Sequence, residues 1–445
     1  MINKGWLKKL PTRYAFRSLA CISRRLSLLL AFSLITITAE TKAQVRTGAS
    51  LRGKVLVGYQ GWFRCPGDGS PGNTWSHWSK GIPSAETMSV DLYPDTSELT
   101  PDSRCPLPSE SINGKPGYLF SSFSKSTVDK HFEWMQQYDI DGALLQRFTG
   151  SIPGQRREGD QVLKNVQAAA EAHHRVFAVE YDLSGAHNDT VMQQLSEDWL
   201  YLVKDGNVTS SPAYLHMNGK PLVAIWGLGF NDGHHIDDPK VALQIIHWFQ
   251  QTAHAIVVGG VPAGWGTLSN DSFSDPEWAA VYAALDVVQP WTVGRYKGPN
   301  ASDAWKSTHL VPDIALTRKQ HQLYMPVIFP GFSWHNLNRS SPENQIPRLG
   351  GEFLWRQAYN AKTAGAAFVK IAMFDEVNEG TAIFKAVPTR RDAPEPGYWL
   401  TLDADGLQLP SDWYLRIAAT IGKMYRGEIA PTPQLPISPK RALLH

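Results

Sequence analysis

The segment Asp375-Glu376-Val377-Asn378-Glu379-Gly380-Thr381 sets three carboxylic acids within five residues, directly after the apolar run 368–374. Burying that much like charge is costly unless the groups face a solvated cleft or take different protonation states. Two carboxyls of unequal pKa are the equipment of glycoside hydrolysis: one protonates the leaving oxygen while the other works on the anomeric side. Residues three apart on a continuing strand face opposite ways, so Glu376 and Glu379 share a site only if the chain turns after Glu376. Gly380 makes such a turn accessible. A solvated acidic loop is the other reading of the same residues.

The elements that would position these acids follow from the apolar pattern. Eight short, nearly continuous apolar runs, at residues 55–60, 142–148, 176–182, 222–228, 255–261, 287–293, 326–332 and 368–374, have the character of parallel strands covered on both faces. Helix-like stretches alternate with them at 126–138, 160–174, 189–203, 239–254, 275–285, 302–323 and 350–363, and a last one spans 411–425. Ser126, Asp160, Asp275 and Ser302 are the expected caps. Eight β-then-α units in series predict a single (β/α)8 TIM barrel of the α/β class with long βα loops. No G-x-G-x-x-G turn suggests a nucleotide cofactor, and none is expected. In such a barrel the reactive groups gather where strands end. Those ends are polar and aromatic: Tyr59, Gln60 and Trp62; Gln146 and Arg147; Glu180, Tyr181 and Asp182; Trp226; Trp265; Gln289 and Trp291; Trp334 and His335; and the acidic segment.

The remaining composition narrows the class. Lys and Arg total 43 and Asp and Glu 41, a net charge of +2 with no basic stripe, which argues against nucleic acid as a partner. The 16 tryptophans, several beside Gly, Pro or His, suit stacking on sugar faces as well as core packing. Residues 1–43 read as a signal peptide, with Lys8, Lys9, Arg13, Arg17, Arg24 and Arg25 ahead of the apolar run 26–39 and Ala43 as the last residue removed. The protein is therefore expected to be secreted or periplasmic. Residues 44–429 would be the catalytic domain, without a membrane span and monomeric, and 430–445 a Pro-rich unstructured tail. In an exported chain Cys65 and Cys105 are either a disulfide across the long loop 61–124 or two buried thiols. His234, His235, Asp232, Asp237 and Asp238 cluster after the fourth strand, yet adjacent histidines do not easily share one ion, so no metal is assigned.

The segment from Glu376 to Thr381 resembles the E-W-x-E-G-T segment of glycoside hydrolase family 99, the endo-α-mannosidases and α-mannanases, and its family 71 α-1,3-glucanase relatives, with Val377 in place of the Trp. Gly58-Tyr59-Gln60-Gly61-Trp62-Phe63 resembles that family's first-strand aromatic motif, His77-Trp78 its loop His-Trp, and Val179-Glu180-Tyr181 its third-strand Ile-Glu-Pro-Tyr, here without the Pro. The resemblance implies an O-glycosyl hydrolase of α-linked oligo- or polysaccharides. In it Glu379 is acid and then base, and Glu376 deprotonates the sugar 2-hydroxyl, so that cleavage retains configuration through a 1,2-anhydro sugar. It also implies sugar contacts from Tyr59, His77, Trp78 and Glu180, to which the strand ends add Trp62, Tyr181, Trp226, Trp334 and Asn378. The plainer readings are Trp78 as loop padding, His77 as a structural histidine, Glu180 paired with Arg147, and Asp375 orienting a neighbour. A raised Glu379 pKa, caused by its neighbour's charge, is expected. A sugar-binding barrel without turnover and a metal-dependent hydrolase are the competing functions.

Overall fold

A computed structural model of the chain describes residues 51–439. The proposed leader and its cleavage site lie outside these residues. The strands are β1 (Val55–Tyr59), the hairpin β2 (Arg104–Ile112) and β3 (Lys115–Phe120), β4 (Gly142–Phe148), β5 (Val176–Asp182), β6 (His216–Met217), β7 (Lys220–Trp226), β8 (Ile256–Val261), β9 (Val287–Pro290), β10 (Leu323–Tyr324), β11 (Val327–Ile328) and β12 (Val369–Ile371). The main sheet runs β10-β9-β8-β7-β5-β4-β1-β12-β11, with every pair along that path parallel. It is a curled sheet clothed in helices. Every residue of β1 and of β5 is buried, as strands covered on both faces must be.

The expected run 326–332 begins early and is split. Leu323 and Tyr324 pair with β9, Val327 and Ile328 pair with β12, and Met325-Pro326 stands between. Pro326 has no N–H to donate, which breaks the ladder there, while its carbonyl still accepts from Lys370 N at 3.0 Å.

The helices are α1 (Lys125–Gln137), α2 (Ile152–Ala172), α3 (Val191–Lys204), α4 (Pro239–His247), α5 (Glu277–Ala283), α6 (Gly298–Trp305), α7 (Val311–Lys319), α8 (Glu352–Ala364) and α9 (Trp413–Arg426). Three expectations need correction. α2 starts eight residues before Asp160, with Pro153 in its first turn; Asp160 is no cap but accepts from Arg147 Nη2 at 2.8 Å and Tyr201 OH at 2.9 Å. The stretch 302–323 is not one helix, because Pro312 cannot donate into the preceding turn and the chain passes through a π-turn at Lys306–Leu310. Ser302 lies inside α6 and takes a hydrogen bond from Asn360, and Ser126 lies inside α1, whereas Asp275 does accept from Glu277 N at 2.9 Å.

The loop after β1 holds the β2–β3 hairpin and a disulfide between Cys65 and Cys105, with Cα atoms 6.2 Å apart. The tail has no helix or strand through Pro439, yet it is docked: Trp355 Nε1 donates to Thr432 O at 2.9 Å, and Leu435 and Ile437 pack on the core. Among the described residues no helix is long and apolar enough to cross a membrane.

Candidate active site

Beyond β12 the chain doubles back at once. Met373 N donates to Thr381 O, Ala382 N to Glu376 O at 2.7 Å, and Ile383 N to Phe374 O, closing a tight loop around the three acids. Gly380 sits at φ +59°, and a Cβ there would stand 3.1 Å from Ser333 O, so position and conformation both call for glycine. The bend that a shared site for Glu376 and Glu379 requires is therefore present.

The three acids do different things. Asp375 is fully buried and anchors the end of β1, its Oδ1 accepting from Gln60 N at 2.7 Å and its Oδ2 from Gly61 N at 2.9 Å. Burial outweighs those bonds and lifts its pKa to about 6. Glu376, 3 % exposed, is aimed by three donors: Oε1 takes Asn378 N (2.7 Å) and Glu379 N (3.2 Å), and Oε2 takes Gln60 Nε2 at 2.9 Å. Its pKa stands well above the carboxylate range, first from burial and then from the charges of Glu379 and Asp375. Glu379 is half-buried, and its pKa is raised to about 7 by burial, partly offset by Arg295. The expected cause is thus corrected: neighbouring charge acts on Glu376, whereas desolvation acts on Glu379.

Aromatic rings gather around Gln60, whose amide holds Glu376. Trp62 is sandwiched between His77, with centroids 3.9 Å apart, and Phe148 at 5.0 Å. These three line a cavity of about 150 Å³ together with Gln60 and Gln146. His77, exposed but stacked on Trp62, is held neutral with a pKa lowered to about 4 by desolvation and then by Arg64. Trp226 meets Trp291 edge-on at 5.4 Å, and Trp334 packs against Phe332. The indole N–H groups of Trp62, Trp226 and Trp334, and the side-chain oxygens of Gln60, Gln146 and Gln289, have no hydrogen-bond partner. Such groups suit a polyhydroxylated ligand.

Five residues expected at substrate are placed elsewhere. Tyr59 is fully buried, with its hydroxyl 2.9 Å from His131 Nδ1 on α1, and Tyr181 donates to Asp198 on α3 at 2.8 Å. Both lie on the helix side of their strands because neighbouring positions alternate. Trp78 is fully buried and donates to Phe120 O, so the loop-padding reading holds. Asn378 ties the acidic loop to the long one through Nδ2 bonds to His77 O and Ser89 O. Glu180 does point inward but is fully buried, with both oxygens 2.7 Å from Lys370 Nζ and Oε1 also taking Gln289 Nε2. Arg147 is not its partner; it pairs with Asp198 at 2.6 Å. Sequence reading missed Lys370, whose position inside an apolar strand was the available signal, and Arg295, which carried none. His235 is engaged by Asp232, and among the described residues no group of three or more His, Cys, Asp or Glu side chains could hold a metal.

No protein-family model and no curated protein matches the sequence. Solved structures do match in fold. The GH99 endo-α-mannosidase from Bacteroides thetaiotaomicron, in complex with bis-tris-propane, aligns with a TM-score of 0.61 at 17 % identity, over 85 % of this chain and 99 % of that one. The fold is family 99-like. A second structure of that enzyme gives a TM-score of 0.57 over the same shares, and a glycoside hydrolase-like protein gives 0.54 at 13 % identity, over 84 % of this chain and 94 % of that one. In this family 99-like fold the acidic loop is joined to β1 through Asp375 and Gln60, so the two segments meet at one place.

Proposed function

We propose that the protein is an exported retaining glycoside hydrolase of α-linked glycans, α-mannan-like or α-glucan-like, on a closed eight-stranded barrel. The single observation that carries this reading is the placement of Glu376 and Glu379 on one tight turn, closed by Ala382 N to Glu376 O and with Glu379 N donating to Glu376 Oε1. Interacting carboxyls titrate as a unit, and the reaction requires the pair's proton on Glu379 with Glu376 ionised. Glu376, aimed by Gln60, takes the proton of the sugar 2-hydroxyl; O2 attacks C1, and the departing glycosidic oxygen takes the proton of Glu379. Glu379 then removes a proton from water, which opens the 1,2-anhydro sugar at C1 while Glu376 returns its proton to O2. Two inversions leave the anomeric configuration retained.

The cavity lined by Gln60, Gln146, Trp62 and His77 supports polyol binding. The disulfide supports export, since such bonds persist in oxidising compartments. The test is a screen of purified protein against α-mannans, α-glucans and other α-linked polysaccharides, reading reducing ends and product anomer by NMR. Release with retention, abolished in Glu379→Ala while binding persists, is expected. Binding without release from any substrate would leave a sugar-binding barrel instead.

A further inference from the structure

The turn that carries both acids is gripped through its backbone. Val377 O accepts from Asp91 N at 2.9 Å, and Glu379 O accepts from Ser333 N at 2.8 Å. Ser333 is fixed in turn by the Asp91 carboxylate, which also takes the backbone N–H groups of His335 and Asn336. The next carbonyls on the far side of Gly380 are held by a side chain from another loop. Arg348 is 4 % exposed, and its Nη2 donates to Gly380 O at 2.7 Å and Ala382 O at 2.8 Å, while the guanidinium lies over the Tyr414 ring at 4.6 Å.

Its partners are two carbonyls and a ring rather than a carboxylate. Only the Tyr414 side chain and the more distant charge of Asp405 add to those carbonyl dipoles, and an apolar side chain of similar volume would fill the space at lower desolvation cost. We infer that Arg348 is a positioning residue, whose guanidinium fixes the peptide units after Gly380 and thereby holds the Glu379 carboxyl at the depth its proton transfer requires.

Gly380 has no side chain to resist rotation, so the orientation of its peptides depends on what binds its carbonyl. A planar guanidinium reaches both carbonyls from one nitrogen and stacks on a ring; a lysine ammonium has neither the plane nor the fork. Removing the grip lets Glu379 drift toward solvent. A displacement near 1 Å at a reacting group lowers turnover by about 100-fold.

This inference rests on the proposed roles of Glu376 and Glu379, and the experiment separates the two. Arg348→Met and Arg348→Lys are compared with wild type for turnover, and the Glu379 carboxyl is titrated by 13C NMR, which needs no substrate. In Arg348→Met, kcat should fall about 100-fold with KM changed less than threefold, and the Glu379 titration should move to lower pH as the group gains water. Arg348→Lys should lie between Met and wild type in both readouts, and it stands alone as the test if Arg348→Met does not fold. A folded variant with the wild-type titration overturns the positioning role. A shifted titration in a protein that cleaves no glycan even as wild type upholds positioning and overturns the proposed reaction.

Discussion

At the scale of single residues, Glu379 reaches a pKa of about 7 because its surroundings are dry, with Arg295 limiting the rise. If the pair must hold a proton to protonate the leaving oxygen, kcat/KM should decline as pH rises through about 7. Glu379→Gln should lower kcat by about 10²- to 10⁴-fold and abolish that limb; a wild-type profile flat to pH 9 would remove Glu379 as the acid. The same shift sets a stability trend. A carboxyl whose folded pKa lies above its unfolded value of about 4.3 contributes stability that is complete at low pH and is lost as pH rises from about 4 through 7. Glu379→Gln should therefore be more stabilising at pH 8 than at pH 5 in urea titrations at the two values. The positions of the acids were legible, because three carboxyls after an apolar run have few inexpensive arrangements. Which strand-end side chains face inward was read less well. Alternation about the inward Glu180 places Tyr181 outside, and an inventory of strand ends ignores that phase. Glu180 itself was misjudged because its partner, Lys370, lies 190 positions away.

Elements were legible where a pattern is local. The eight apolar runs fall within a few residues of the observed strands because covered parallel strands leave nearly unbroken hydrophobic stretches. Helix interiors followed for the same reason, while their ends depended on tertiary partners: Asp160 had the chemistry of a cap, but Arg147 and Tyr201 claimed it. The loop after β1 was long enough to predict that it matters, yet its hairpin depends on pairing across a bulge between Pro106 and Ser111. The Cys65–Cys105 bridge, 40 residues apart, closes the segment that carries His77 and begins three residues after Trp62. Chain-entropy arguments put such a crosslink at about 4 kcal/mol, and typical values are about 2–4. Cys65→Ser/Cys105→Ser should lose stability of that order in denaturant titrations, and wild type in reductant should approach the double variant; coincident curves with and without reductant would deny the bridge its role.

For the whole molecule, the inner face of the curled sheet is not purely hydrocarbon. Lys370 and Glu180, each without accessible surface, form an ion pair across it between β12 and β5. Truncating one partner leaves the other charge buried and unpaired, at a cost of about 3–5 kcal/mol. Lys370→Met should lose that much in urea denaturation, and Glu180→Gln/Lys370→Met should recover a large part of it; simple additivity of the single losses would refute the coupling. The curled sheet also has a seam. Seven strands of the main sheet each form one uninterrupted parallel stretch, but the segment from Leu323 to Ile328 leans on β9 with its first half and on β12 with its second, around a proline that offers no proton. Amide exchange at Met325 and Leu323 should accordingly outpace that at Val57 and Val179. A curled sheet built this way has a preferred place to part, and it lies two elements upstream of the turn that bears the acids.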